Sequence, residues 1–105
     1  MAYRWPNKDP DEMLDYSVDW SRFLDTAVIT SVTWYIDDAN GTKIQYDDTD
    51  VVNGLQKVTQ TETSTVATIR LSLGTNNVQY KLYCSMTDNE GLTAERAVTI
   101  RIRNN

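Results

Sequence analysis

The chain has 105 residues, fifteen Asp and Glu against ten Lys and Arg, a formal net charge of −5 and 40% hydrophobic residues. That is the length of one domain, apolar enough to build a core without metal or disulfide staples and too apolar for an intrinsically disordered segment. The acidic balance argues against a nucleic-acid-binding or anionic-membrane surface, since both require a cationic face. A single cysteine, Cys84, rules out an internal disulfide. The first eight residues carry no apolar leader, and no stretch approaches the ~18 apolar residues of a membrane span. Folding in a cytoplasm is the resulting expectation.

In chain order, residues 1–13 read as an N-terminal arm. It carries Tyr3 and Trp5 ahead of Pro6 and Pro10, then the acidic run Asp9, Asp11 and Glu12. Apolar anchors on a short extended arm suit a latch onto a neighbouring protein, and the acidic run suits a basic partner surface; folding back over its own domain is the alternative. Residues 14–105 form the domain proper. Leu14, Tyr16, Val18 and Trp20 alternate with Asp15, Ser17 and Asp19, which is the period of a half-buried strand. The next stretch, SRFLDTAV, loses the alternation at Phe23 and Leu24 and reads as one helical turn.

Val32, Trp34 and Ile36 then alternate with Thr33 and Tyr35 and run into Asp38-Ala39-Asn40-Gly41, whose Asn-Gly pair predicts a hairpin turn. Asn40-Gly41-Thr42 also matches a glycosylation sequon, but the turn reading is preferred. Residues 45–65 are polar, acidic and threonine-rich, with one short strand expected near residues 55–59 and loops elsewhere. Ala67, Ile69, Leu71 and Leu73 alternate with Thr68, Arg70 and Ser72 and stop at Gly74. Val78, Tyr80, Leu82, Cys84 and Met86 point one way, and Gln79, Lys81, Tyr83 and Ser85 the other. After a turn at residues 88–91, Val98, Ile100 and Ile102 face inward, completing a terminal hairpin. Short strands with frequent turns predict an all-β sandwich of about seven strands.

The chemistry of the side chains is sparse. There is no histidine, which removes the commonest general base and the usual activator of a Ser or Cys nucleophile. Cys84 lies on the apolar face of its strand, where a thiol is an inert small hydrophobe. The pairs Asp11-Glu12, Asp37-Asp38 and Asp47-Asp48 point apart or lie in loops. No enzyme is expected, no catalytic residue is assigned and no cofactor is implied. Asp47, Asp48, Asp50 and Asn53 are hard oxygen donors, but Gly54 falls too late for a calcium loop, so a solvated acidic loop is the preferred reading. Tyr35 and Tyr83 are the aromatics whose alternation turns them away from the core. They are either a docking patch or a cross-strand pair.

Two segments carry a resemblance. VTWYIDDANGTKI (residues 32–44) and YKLYCSMTDNEGLTAERAVTIRI (residues 80–102) resemble the Trp-bearing strand and the last hairpin of an immunoglobulin-like domain, with Trp34 as the core tryptophan and Cys84 near the usual second cysteine. The first cysteine is missing, so the inter-sheet disulfide of that fold cannot form. KDPDEMLDYSVDW (residues 8–20), with ITSVTW and GLTAERAVTIRIR, is similar to a family of small virion proteins of tailed bacteriophages. The similarity runs from Lys8 to Arg103 apart from residues 37–64. It implies a non-enzymatic structural protein of the virion (decoration, neck or tail), acting by protein–protein assembly with other virion proteins and present in several symmetric copies. The expected partner-binding residues are Tyr3, Trp5, Asp9, Asp11, Glu12, Tyr35 and Tyr83. The rival is a module binding carbohydrate or a host surface, which exposed loop aromatics such as Tyr46 would favour.

Overall fold

The alternating segments of the chain pair into two sheets. The computed structural model describes residues 3–104, with the side chains from Arg4 onward. Its strands are β1 (Tyr3–Arg4), β2 (Leu14–Asp19), β3 (Ile29–Asp37), β4 (Lys43–Gln45), β5 (Val51–Val52), β6 (Leu55–Glu62), β7 (Val66–Leu73), β8 (Gln79–Asp88) and β9 (Thr93–Arg101), with one helical turn, α1 (Ser21–Leu24). The first sheet has the order β1-β9-β8-β3-β4 and the second β2-β7-β6-β5. Neighbours are antiparallel except β1, which runs parallel to β9. The chain changes sheet between β1 and β2, between β2 and β3, between β4 and β5, and between β7 and β8. That connectivity is the Greek-key wiring of an immunoglobulin-like sandwich.

The core is the sum of the inward faces. Trp34, Ile36, Leu82, Cys84, Met86, Val98 and Ile100 come from the first sheet, and Tyr16, Val18, Leu55, Ala67, Ile69 and Leu71 from the second. Trp34 and Cys84 are register partners on β3 and β8, and both are wholly buried. Each large apolar side chain buried here contributes roughly 1.5–3 kcal/mol. Tyr80 works as a corner post: its hydroxyl donates to the carbonyl of Asn53 at 2.6 Å and accepts from the amide of Thr75 at 2.9 Å, tying the start of β8 to the β5–β6 turn of the second sheet and to the crossing from β7. The free thiol leaves the sandwich without a covalent tie between its sheets.

Three expectations are corrected. Residues 3–8 are part of the sandwich: β1 extends the first sheet, Lys8 bridges to Ile102, and Trp5 is buried against Tyr16 and Trp34. A tryptophan next to an open sandwich edge gains more by closing that edge than by projecting into water. Residues 51–62 form a hairpin, with β6 running three residues past the strand expected at residues 55–59. A bulge between Lys57 and Thr59 shifts the register, so that Leu55 and Lys57 face inward before it and Gln60 after it. The inward positions are therefore polar and out of phase, which hides the strand.

Leu73 is about half exposed rather than inward, because its backbone takes φ 61° where β7 bends into Gly74 at φ 110°. Tyr46 is fully buried, its hydroxyl donating to the carbonyl of Leu55.

Candidate functional site

The outward parity of β3 and β8 places Tyr35 directly opposite Tyr83 on the solvent face of the first sheet. The turn at residues 38–41, closed by the side chain of Asp38 accepting from the amides of Asn40 and Thr42 and by Gly41 at φ 82°, folds β4 back so that Lys43 faces Asp37. From there Lys43 reaches across both rings. Its ammonium lies 4.8 Å from the Tyr35 centroid and 4.7 Å from that of Tyr83, and ends 2.7 Å from a Glu95 carboxylate oxygen on β9. Lys81 also approaches the Tyr83 ring, at 5.3 Å. The Tyr83 hydroxyl donates to Asp37 at 2.8 Å, and burial together with the Asp37 carboxylate pushes the phenol up to about 12. Four strands thus hold a half-buried aromatic pair in a fixed charged frame.

Sequence reasoning found the two tyrosines but missed Lys43, Asp37, Lys81 and Glu95. Part of the signal was present: Asp37 and Lys81 each sit two residues from a tyrosine on the same strand, hence on the same face. Lys43 and Glu95 required the pairing register, which alternation does not supply.

The arm residues are placed differently from one another. Trp5 lies in the core, its indole N–H donating to the carbonyl of Ser17 at 3.1 Å, so it faces its own sandwich. The side chain of Tyr3 is outside the described part. Asp9, Asp11 and Glu12 form a self-closed turn: Glu12 donates its amide to the Asp9 carbonyl, Asp9 donates its amide to the Glu12 carboxylate, and Asp11 donates to the Asp9 carboxylate. Asp11 and Glu12 are exposed there. The turn sits at the end of the sandwich away from α1, remote in register from the Tyr35–Tyr83 pair.

Reactive groups are inward or spent. Cys84 is wholly buried, and burial pushes its thiol up to about 12, opposed by the nearby Trp20 indole, which stops short of hydrogen-bond geometry. Among the described residues no three His, Cys, Asp or Glu side chains converge on a common point. In the loop 47–50, Asp47 accepts from Gln45, Asp50 accepts from the amide of Asp47, and Asp48 pairs with the buried Lys57 at 3.1 Å. A shallow depression of about 110 Å³ on the second sheet is bridged by Arg70 and Asp15 at 2.7 Å. No helix among the described residues is long and apolar enough to cross a membrane.

An immunoglobulin-like sandwich with a framed aromatic face belongs to the class of modules that work by contact. Residues 8–101 match the family described as Podophage GP4 fiber-tail adaptor protein gp77, and the chain belongs to that family. It is accordingly a structural protein of a tailed-phage virion, a tail component that acts through assembly. None of the curated proteins matches the chain.

Proposed function

We propose that this chain links a fibre protein to the phage tail by protein–protein contacts, in several symmetric copies, holding its partners rather than transforming them. The observation that carries this reading is the Tyr35–Tyr83 pair in its frame of Lys43, Asp37 and Glu95. Tyrosines held rigid beside fixed charges lose little conformational freedom on docking, and both tyrosine and rigidity favour protein interfaces. An adaptor also needs a second contact. The exposed turn with Asp11 and Glu12 offers an acidic one to a basic surface. The exposed large apolar side chains fall at the two ends of the 40 Å body, with Phe23, Val28 and Leu92 at one end and Met13, Leu14, Val51 and Leu73 at the other. The carbohydrate reading loses its support, because the loop aromatic it needed, Tyr46, is buried.

The test mixes the purified full-length protein with the tail and fibre proteins of the same phage and measures complex mass in solution. Replacing Tyr35 and Tyr83 together by Ala is expected to weaken one of the two complexes by about tenfold or more, since central aromatic contacts dominate interfaces. If the unaltered protein binds neither, the adaptor reading is wrong.

A further inference from the structure

Charge is distributed unevenly over this acidic protein. The outer face of the first sheet, with its β1 edge, carries Arg4, Lys43, Lys81 and Arg101 against two carboxylates, Asp37 and Glu95. The other side chains include six cations and thirteen carboxylates. Of those six, Lys8 and Lys57 are buried, Arg70 is paired with Asp15, and Arg96 lies over the rings of Trp20 and Phe23. The rest of the protein is therefore net anionic, whereas this sheet face is net cationic.

The cations of that face divide again. Lys43 is satisfied by Glu95. Arg4, Lys81 and Arg101 carry no ion pair among the described residues, and the Nε of Arg101 is buried without a hydrogen-bond partner. The register groups the three. Lys81 and Arg4 both neighbour Thr99, one on each side, and Arg101 lies two residues along from Thr99 on β9. Lys81 and Arg4 are thus two strand spacings apart, about 10 Å. Arg4 is turned outward because Trp5, the next residue, is turned in. Three unpaired cations around one threonine, bordered by Tyr83, form an acceptor for carboxylates.

We propose that this corner of the sheet, formed by Arg4, Lys81 and Arg101, docks an acidic segment of a partner virion protein. The proposal rests on the adaptor reading and names the chemistry of one of its partners. Complementary charge speeds encounter and sets orientation, and the flanking tyrosine supplies apolar contact. It also predicts a strong salt dependence for that contact.

The test uses the full-length protein and a fluorescent oligo-glutamate peptide as probe, with oligo-lysine as the opposite-charge control. The tail and fibre proteins are titrated in parallel at low and high salt. Lys81→Glu with Arg101→Glu is compared with Arg22→Glu, a reversal of exposed charge on α1, outside the corner. Glutamine replacements stand in should the reversals disturb the fold by circular dichroism. The expected result is probe binding and one partner complex, both weakened about tenfold or more by the corner reversals and by salt and little changed by Arg22→Glu. Equal weakening by Arg22→Glu, or no preference for oligo-glutamate over oligo-lysine, overturns the proposal. So does a corner reversal that abolishes only self-association, since the occupant would then be a second copy. Partner binding that ignores both salt and the corner charges removes this inference and leaves the adaptor reading standing.

Discussion

The ammonium of Lys8 donates to the carbonyl of Leu73 at 2.7 Å, across 65 residues of chain. The same nitrogen donates to the carbonyl of Asp9 at 2.9 Å, and the residue is wholly buried. One lysine thus fastens the N-terminal segment to the bend where β7 leaves its sheet. Replacing Lys8 by Ala strands both carbonyls, and a loss of about 1–3 kcal/mol is expected. Lys8→Met keeps the apolar stem and should recover part of it. Urea denaturation checks this, with the midpoint falling and the slope against denaturant unchanged.

Trp5 predicts a larger effect. Its ring lies 5.0 Å from that of Tyr16 and 6.0 Å from that of Trp34, between the edges of the two sheets. Trp5→Ala should cost about 3–5 kcal/mol, a large fraction of the stability of a domain this size. Deleting residues 1–13 removes Trp5 and Lys8 together, so the truncated protein should be unfolded or aggregated rather than a folded monomer. A cooperative thermal transition for the truncation, close to that of the full chain, would show the segment to be dispensable.

The legible parts of this fold are those where alternation and turn chemistry agree. β8, the turn at residues 88–91 and β9 read directly from Tyr80 to Ile102, because the inward residues Tyr80, Leu82, Cys84, Met86, Val98, Ile100 and Ile102 are apolar and the register never slips. The inward placement of Trp34 and Cys84 was legible for the same reason, though not their pairing across β3 and β8. β6 was not: a bulge changes its phase, and its inward Lys57 and Gln60 are satisfied by each other, by Asp48 and by the carbonyl of Val32, partners no local pattern announces. Trp5 was misread because an aromatic beside prolines looks the same whether it docks on a neighbour or on its own domain. At the candidate site the outward tyrosines followed from parity. Their charged frame depended on pairing between strands far apart in sequence.

Gly74 should prove less replaceable than Gly41. At φ 110°, an added Cβ would stand 2.8 Å from Cγ1 and 3.0 Å from Cδ1 of Ile102, a wholly buried side chain. Gly41 has φ 82° but open space around it. Gly41→Ala therefore meets backbone strain alone, about 1–2 kcal/mol, while Gly74→Ala adds a collision the core must absorb, a further ~1–3 kcal/mol. Denaturant midpoints of the two variants give the comparison; equal losses would mean that Ile102 moves aside freely.

Alkaline pH should unfold the protein through groups the sandwich holds protonated. Burial raises the Cys84 thiol from 9.0 to about 12 and the Tyr16 phenol from 10.0 to about 12, and Tyr46, deeper still, moves in the same direction. A folded-state pKa above the unfolded one contributes stability that is whole below the unfolded value and is lost as pH rises through the folded one. The loss should therefore begin near pH 9, with the shares of Cys84 and Tyr16 largely gone by about pH 12 and that of Tyr46 continuing beyond. Lys8, lowered mainly by burial, has the opposite sign: its penalty is relieved as pH climbs toward 10.5, which softens the loss without reversing it.

Tyr16 isolates one share of the effect, because its hydroxyl is buried and finds no partner among the described residues. Tyr16→Phe should leave stability at neutral pH unchanged or slightly raised, and retain more of it above pH 10, since the phenol no longer has to ionise on unfolding. Urea midpoints measured from pH 8 to pH 12, read beside the ultraviolet absorbance of phenolate, decide the matter. Parallel curves for the two proteins would mean that the Tyr16 hydroxyl ionises as easily in the folded state as in the unfolded one.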